Sequence, residues 1–150
     1  MKRSPDMQRL EEILRSSKLA MGGFLGDDDR PLEEILEHDA AVVARAGRTL
    51  EAIANRMRDI TAAARLGQET TVRISENLEA VSTATRGLIP CPWPHAARCL
   101  KTVTTLTRRD TGQSVRWSEL SIHMIEAHGF FQGRGSSFRI EPRELIEFLF

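Results

Sequence analysis

The chain has 150 residues, of which 41% are hydrophobic and 28% are charged, a composition typical of a globular protein. Lysine plus arginine equals aspartate plus glutamate, with 21 residues in each group. This balance excludes a strong overall field that would direct the chain to nucleic acid or to a membrane surface.

The first 67 residues predict three helices joined by short connections. Ser4, followed by Pro5, can cap the first helix, which is expected to continue to Gly22 with an apolar face formed by Leu10, Ile13, Leu14 and Met21. The second helix is expected over residues 31–47 and the third over residues 49–67. Their apolar stripes are narrow and rich in alanine. We therefore expect these helices to pack against the second half of the chain or against another copy of it.

Residues 68–150 predict a small antiparallel sheet followed by helices. Alternating and β-branched residues indicate strands at 72–74, 78–85, 100–108 and 114–117, the last two joined as a hairpin by a turn at 110–112. Ser118 can cap a helix that ends at Gly129, and Pro142 can begin a last helix. The sequence therefore predicts an α+β protein with a helical region at 1–67 and a sheet-and-helix region at 68–150.

The amino terminus and the two cysteines predict a cellular compartment. Residues 1–6 lead into no apolar segment of a secretory signal, and no window of the sequence has the length of a membrane span. Two cysteines without a signal indicate a reducing compartment, where a thiol is more often a ligand or a buried group than half of a disulfide. We therefore expect a soluble cytoplasmic protein with no membrane partner.

Both cysteines and three of the four histidines fall between residues 91 and 128. Zinc prefers thiolate and imidazole ligands in a tetrahedron, commonly as two short-range pairs that the fold brings together. Cys91 and His95 form one such pair in a loop stiffened by two prolines, and His123 and His128 form the other. The sequence therefore predicts a zinc site at Cys91, His95, His123 and His128, with Cys99 as an alternate ligand in place of His95.

The spacing of His123 and His128 constrains the conformation of the helix that carries them. Five helical steps turn about 500°, which leaves His123 and His128 roughly 140° apart on an ideal helix. We therefore expect the last turn to loosen, and Gly129, directly after His128, would permit this.

A hairpin followed by a helix bearing two histidines resembles the ββα zinc finger over roughly residues 91–128. The ligand placement differs, because Cys91 and His95 precede the predicted hairpin and do not lie in its turn. The finger family's insertion of its helix into the DNA major groove is therefore not implied. The stretches around residues 89–95, 117–121 and 128–131 also resemble small bacterial proteins of unassigned function, which implies no activity.

Two other interpretations of the cluster remain open at this stage. The histidines can form a hydrogen-bonded cluster beside a free thiol in a metal-free structural or interaction protein. Alternatively, the site can belong to a metal-dependent hydrolase such as a ββα-metal nuclease, with Glu126 or Glu119 as general base, or with His95 as base if it does not bind the ion. Four protein ligands would close the ion to water, so we expect catalysis less than binding.

The glycine-rich segment 129–139 is the second candidate functional segment. Arg134 and Arg139 could contact an anion or nucleic acid there, with phenylalanines stacking on bases. The simpler interpretation, which we favour, is a connecting loop whose phenylalanines enter the core. Altogether, the sequence predicts a zinc-binding module for binding or regulation. Its helical region would mediate self-association or contact with a protein partner, and nucleic acid is a weaker candidate partner.

Overall fold

The computed structural model describes residues 4–16 and 22–150 and has the predicted α+β architecture. In the described part of the chain there are five helices, α1 to α5, at Pro5–Arg15, Leu32–Arg45, Leu50–Arg65, Glu119–His128 and Pro142–Leu149. The six strands, β1 to β6, lie at Val72–Arg73, Leu78–Thr83, Leu88–Pro90, Arg98–Leu100, Val103–Arg108 and Ser114–Ser118. None of the described helices is both long enough and apolar enough to span a membrane.

The helix starts follow the capping residues, whereas the first helix ends earlier than predicted. Ser4 and Thr49 each accept a hydrogen bond from a backbone N–H in the first turn, at 3.1 Å in both cases. Helix α1 ends at Arg15 because Ser16 is already extended, with φ −75° and ψ 153°. The predicted continuation to Gly22 is therefore wrong; Met21, which it included, lies outside the described residues.

The strands form one four-stranded antiparallel sheet in the order β1-β2-β5-β6 and a separate hairpin, β3-β4. The predicted hairpin of residues 100–117 is confirmed as β5-β6. However, its first strand begins at Val103, because residues 98–100 pair with β3 instead, with Leu88 opposite Leu100. The β3-β4 hairpin is thus an insertion between two neighbouring strands of the main sheet.

The helical region packs against the second half of the chain through two groups of buried side chains. The first group joins α2, α3, the main sheet, α4 and α5, with Trp117 at its centre donating from Nε1 to Thr61 Oγ1 at 2.9 Å. The second joins α1, the Phe24–Leu25 segment and the start of α2 to Cys91 and to the side chains of Leu120, Met124 and Phe130. This second group lies beneath the cysteine–histidine cluster and fixes the elements that carry it.

Candidate metal centre

Two elements bring the four predicted ligands together. Cys91 and His95 lie in the loop that joins β3 to β4, and His123 and His128 lie on α4. The loop is tightly closed, since the N–H of Cys91 donates to Ala97 O at 3.0 Å and that of His95 donates to Trp93 O at 2.7 Å. Cys91 and His95 precede the β5-β6 hairpin, as expected. They also lie in the turn of an additional hairpin, β3-β4, which was not predicted from the sequence.

The donor atoms of the four side chains have the spacing of a metal coordination shell. His95 Nε2 lies 3.2 Å from Cys91 Sγ, 3.0 Å from His128 Nε2 and 3.3 Å from His123 Nε2, and Cys91 Sγ lies 3.5 Å from His128 Nε2. The other two separations do not exceed 4.8 Å. Around tetrahedral zinc, with bonds of about 2.05 Å to nitrogen and 2.3 Å to sulfur, nitrogens lie about 3.3 Å apart and nitrogen and sulfur about 3.6 Å. The cluster could therefore hold a metal ion such as zinc.

Hydrogen bonding within the cluster does not account for this geometry. A ring nitrogen carries either one proton or one in-plane lone pair, so it can make one good hydrogen bond. His95 Nε2 has three neighbours among the donor atoms at 3.0 to 3.3 Å. At most one of these contacts can be a hydrogen bond, whereas a single ion placed among the four atoms satisfies all of them.

The two histidines of α4 meet without the predicted loosening of its last turn. The helix is regular as far as His128, and the Gly129 N–H makes an ordinary helical hydrogen bond to Ile125 O at 3.0 Å. Gly129 then adopts the left-handed conformation, with φ 64°, and ends the helix as expected. The imidazoles therefore converge through the reach of their side chains, at a ring-centroid distance of 5.5 Å.

Trp93, between the two loop prolines, positions the ring of His128. Its indole stacks on that imidazole with a centroid distance of 4.2 Å and an interplanar angle of 6°, and it also contacts Phe130 at 5.3 Å. Aromatic contacts of this kind restrict the rotation of a ligand ring in the same way that outer hydrogen bonds do at other metal sites. This role of Trp93 was not predicted from the sequence, although its place between Cys91 and His95 was the available signal.

Burial sets the protonation states of the metal-free cluster. Burial, assisted by the neighbouring imidazoles of His123 and His95, lowers the pKa of His128 to about 4. The pKa of His123 is lowered by burial and by His95, and burial raises the pKa of the Cys91 thiol. At neutral pH these two imidazoles are neutral and ready to bind a metal, whereas the thiol keeps its proton until an ion displaces it.

The alternate ligand, Cys99, is not part of the cluster. It lies on β4, half-buried against the second core group, and the four residues whose donor atoms converge do not include it. Cys99 lies in a strand, opposite Ile89, whereas Cys91 and His95 both lie in the loop that closes the hairpin. His95, and not Cys99, is therefore the fourth member of the cysteine–histidine cluster.

The two glutamates considered as general bases have other partners. Glu126 accepts two hydrogen bonds from the Arg58 guanidinium, at 2.6 and 2.9 Å, and this contact lowers the pKa of the carboxyl. Glu119 accepts from the N–H of Leu100 at 3.2 Å and pairs with Arg65 at 3.5 Å. In the part of the chain that the structure describes, no carboxylate oxygen joins the cluster of four donors.

The two arginines of the glycine-rich segment have different environments. Arg134 is exposed, whereas the side chain of Arg139 is only 6% exposed. All five N–H groups of Arg139 are used, in bonds to both oxygens of buried Asp39, both oxygens of Glu141 and the carbonyl of Gln132. Arg139 therefore holds the loop to α2 and has no donor left for an external anion.

Close backbone packing explains the glycines of this segment. A Cβ on Gly133 would lie 2.4 Å from Leu25 O, and one on Gly26, whose φ is +57°, would lie 2.3 Å from Ser136 N. The segment thus packs directly on the backbone of residues 25–27, and Phe130 and Phe131 are buried. This supports the interpretation of the segment as a connecting loop.

Comparisons of the chain with models of protein families, with curated proteins and with solved structures find no match. The family resemblances proposed from the sequence therefore gain no support from these comparisons. The function must be inferred from the site.

Proposed function

We propose that this chain is a zinc-binding module in which one ion, held by Cys91, His95, His123 and His128, has a structural role. The observation that carries the proposal is the spacing of His95 Nε2, which lies 3.0 to 3.3 Å from three other donor atoms. One sulfur and three nitrogens are a ligand set that zinc prefers. When bound, the ion would tie the β3-β4 loop to the end of α4.

A structural ion suits the local fold because the hairpin that carries the ligand loop is small. The β3-β4 hairpin is a separate two-stranded sheet with three residues in each strand, and such a sheet is marginal on its own. His95 at the tip of its loop is exposed. Zinc binding at structural sites contributes directly to folding free energy, so the ion would hold this hairpin in place.

The same geometry favours binding or regulation over hydrolysis. A catalytic zinc keeps one coordination position for water, whereas four protein donors fill a tetrahedron. A hydrolase would also need a free general base, and the nearest carboxylate on α4, Glu126, is held by Arg58. We therefore infer that the ion maintains a surface and that this surface performs the function.

The test is elemental analysis of protein purified without a histidine tag. We expect about one zinc per chain in the native protein, and a large loss of zinc in Cys91→Ser and His123→Ala. The matched control is His38→Ala, which removes an exposed histidine on α2 and should retain the metal. A native protein free of metal, or ligand variants that retain a full complement, would contradict the proposal. Metal-dependent hydrolysis abolished by Glu126→Gln with zinc retained would favour the nuclease alternative.

A further inference from the structure

We propose that a groove beside the metal centre binds an acidic segment of a partner protein that also carries leucine-like side chains. This inference rests on the proposed binding function and names the partner's chemistry. The groove, called the arginine groove below, lies between α3, the β3-β4 hairpin and the start of α4, and has a volume of about 390 Å³. The residues that matter for the argument are Arg58, Arg65, Leu88, Arg98, Leu100 and Glu119.

The charge of the groove is positive although the whole chain is neutral. Three arginines and one glutamate line it; Arg58 is paired with Glu126 and Arg65 with Glu119, so the excess positive charge is that of Arg98. Arg65 and Glu119 approach to 3.5 Å with half of the arginine side chain exposed, and such surface pairs contribute little free energy. Arg98 is exposed on β4, and no acceptor for its guanidinium is found among residues 4–16 and 22–150. A carboxylate from a partner can therefore pair with Arg98 without breaking an existing contact, and can replace the weak contact of Arg65.

Apolar side chains stand next to these charges. Leu88 and Leu100 face each other across the hairpin and are 52% and 40% exposed. Leu66, directly after Arg65, is 85% exposed. Five large hydrophobic side chains are exposed in the described part of the chain; two of them, Leu88 and Leu100, line the groove, and Leu66 follows the lining residue Arg65 in the sequence. Covering them would remove apolar surface from water at about 25 cal/mol per Å².

This combination of arginines and exposed leucines fits a peptide better than a nucleic acid. Single-stranded nucleic acids bind to grooves that combine cations with Phe, Tyr or Trp, on which bases stack. Among the described residues that line the groove none is of these types, and the only ring is the imidazole of His123, which is committed to the metal cluster. Leucine side chains make no favourable interaction with phosphate groups. Acidic peptides with apolar residues, in contrast, match both the guanidinium groups and the leucines.

The metal centre and the groove share His123 and the β3-β4 hairpin. One wall of the groove is the hairpin, and the other walls are α3 and the start of α4. The ion would tie the hairpin to α4, which packs against α3. Peptide binding should therefore weaken when zinc is removed, because the hairpin would no longer be held at a fixed distance from α3.

The experiment measures fluorescence anisotropy of a fluorescein-labelled peptide in which leucines are spaced among glutamates, titrated with zinc-loaded full-length protein. We expect saturable binding that is weakened about tenfold or more by Arg98→Glu and by replacing the peptide's glutamates with lysine. Leu88→Ser should also weaken binding. The matched control is Arg143→Glu, the same charge reversal on the exposed face of α5, which should change the affinity less than about twofold.

Several results would overturn the groove proposal: no saturable binding, equal effects of Arg98→Glu and Arg143→Glu, equal affinity for the lysine peptide, or tighter binding of a single-stranded DNA oligonucleotide at the same site. Zinc content is measured on every preparation, so that failure of the metal centre can be distinguished from failure of the groove. A full complement of zinc without peptide binding contradicts only the groove. Peptide binding that depends on Arg98 in a protein without zinc contradicts the metal centre and the zinc dependence of the groove, but not the groove as the peptide site.

Discussion

Removing zinc should lower the thermal stability of the protein through four specific side chains. Through the proposed ion, Cys91 and His95 would anchor the β3-β4 loop to His123 and His128 on α4, so chelation would free a segment that packs over the second core group. We expect the metal-free protein to unfold at a lower temperature than the zinc-loaded protein, in the same buffer and without a histidine tag.

The size of the shift follows from mass action and chain length. Free zinc at about 100 times its dissociation constant stabilises the folded state by about 2.7 kcal/mol. With an unfolding entropy of about 2.1 cal/mol/K per residue, a chain of 150 residues has about 0.3 kcal/mol/K in total. The melting temperature should therefore rise by about 9 °C on loading with zinc, and differential scanning calorimetry measures this directly.

The two cysteines provide a matched pair of variants for this measurement. Cys91→Ser removes the thiolate of the cluster and should abolish most of the zinc-dependent shift. Cys99→Ser changes the same chemical group on β4, outside the cluster, and should keep it. A shift that survives in Cys91→Ser, or one that disappears in Cys99→Ser, would refute the assignment of ligands.

Three further predictions address the surroundings of the site. Arg139→Met should lower the free energy of unfolding by about 3–5 kcal/mol in urea denaturation, because it leaves the fully buried carboxylate of Asp39 without its partner. Exposed Arg134→Met, in the same loop, should change it by less than about 0.5 kcal/mol, and equal effects would contradict the structural role of Arg139. Trp93→Ala should weaken zinc binding about tenfold, because it removes the indole that stacks on His128. Competition with a chromophoric chelator measures this affinity, and Trp93→Phe should restore part of the lost affinity. Unchanged affinity in Trp93→Ala would count against this positioning role. In the metal-free protein, the free energy of unfolding should fall as the pH falls from about 6.5 towards 4. The pKa of His128 is lowered from 6.5 to about 4 in the folded state, so the unfolded chain binds a proton in this window that the folded chain does not. His128→Gln should flatten this part of the pH profile, measured by urea denaturation at each pH, and a profile identical to that of the native sequence would contradict the shift.

The sequence predicted the helix caps and the cysteine–histidine cluster well because their signals are local. Ser4, Thr49 and Ser118 act as caps, and Gly129 ends α4, as side-chain chemistry and backbone sterics require. The ligand set followed from residue types that zinc prefers and from their spacing, and the structure brings the same four side chains together.

What the sequence did not predict depends on partners that are distant in the chain. β-Propensity is continuous from Leu100 to Arg108, so it could not show that Leu100 pairs with Leu88 while Val103 pairs with Thr83. The role of Arg139 depends on Asp39, a hundred residues earlier. The arginine groove likewise combines Arg58 and Arg65 from α3 with Arg98 from the hairpin, and only the tertiary fold places them together.

The most direct test of the metal centre is X-ray absorption spectroscopy at the zinc edge on untagged protein. The proposed zinc site predicts a first shell of three nitrogens at about 2.0 Å and one sulfur at about 2.3 Å, with imidazole scattering beyond it. A shell without sulfur, or a zinc ion coordinated mainly by oxygen, would contradict the proposal that Cys91, His95, His123 and His128 hold the ion.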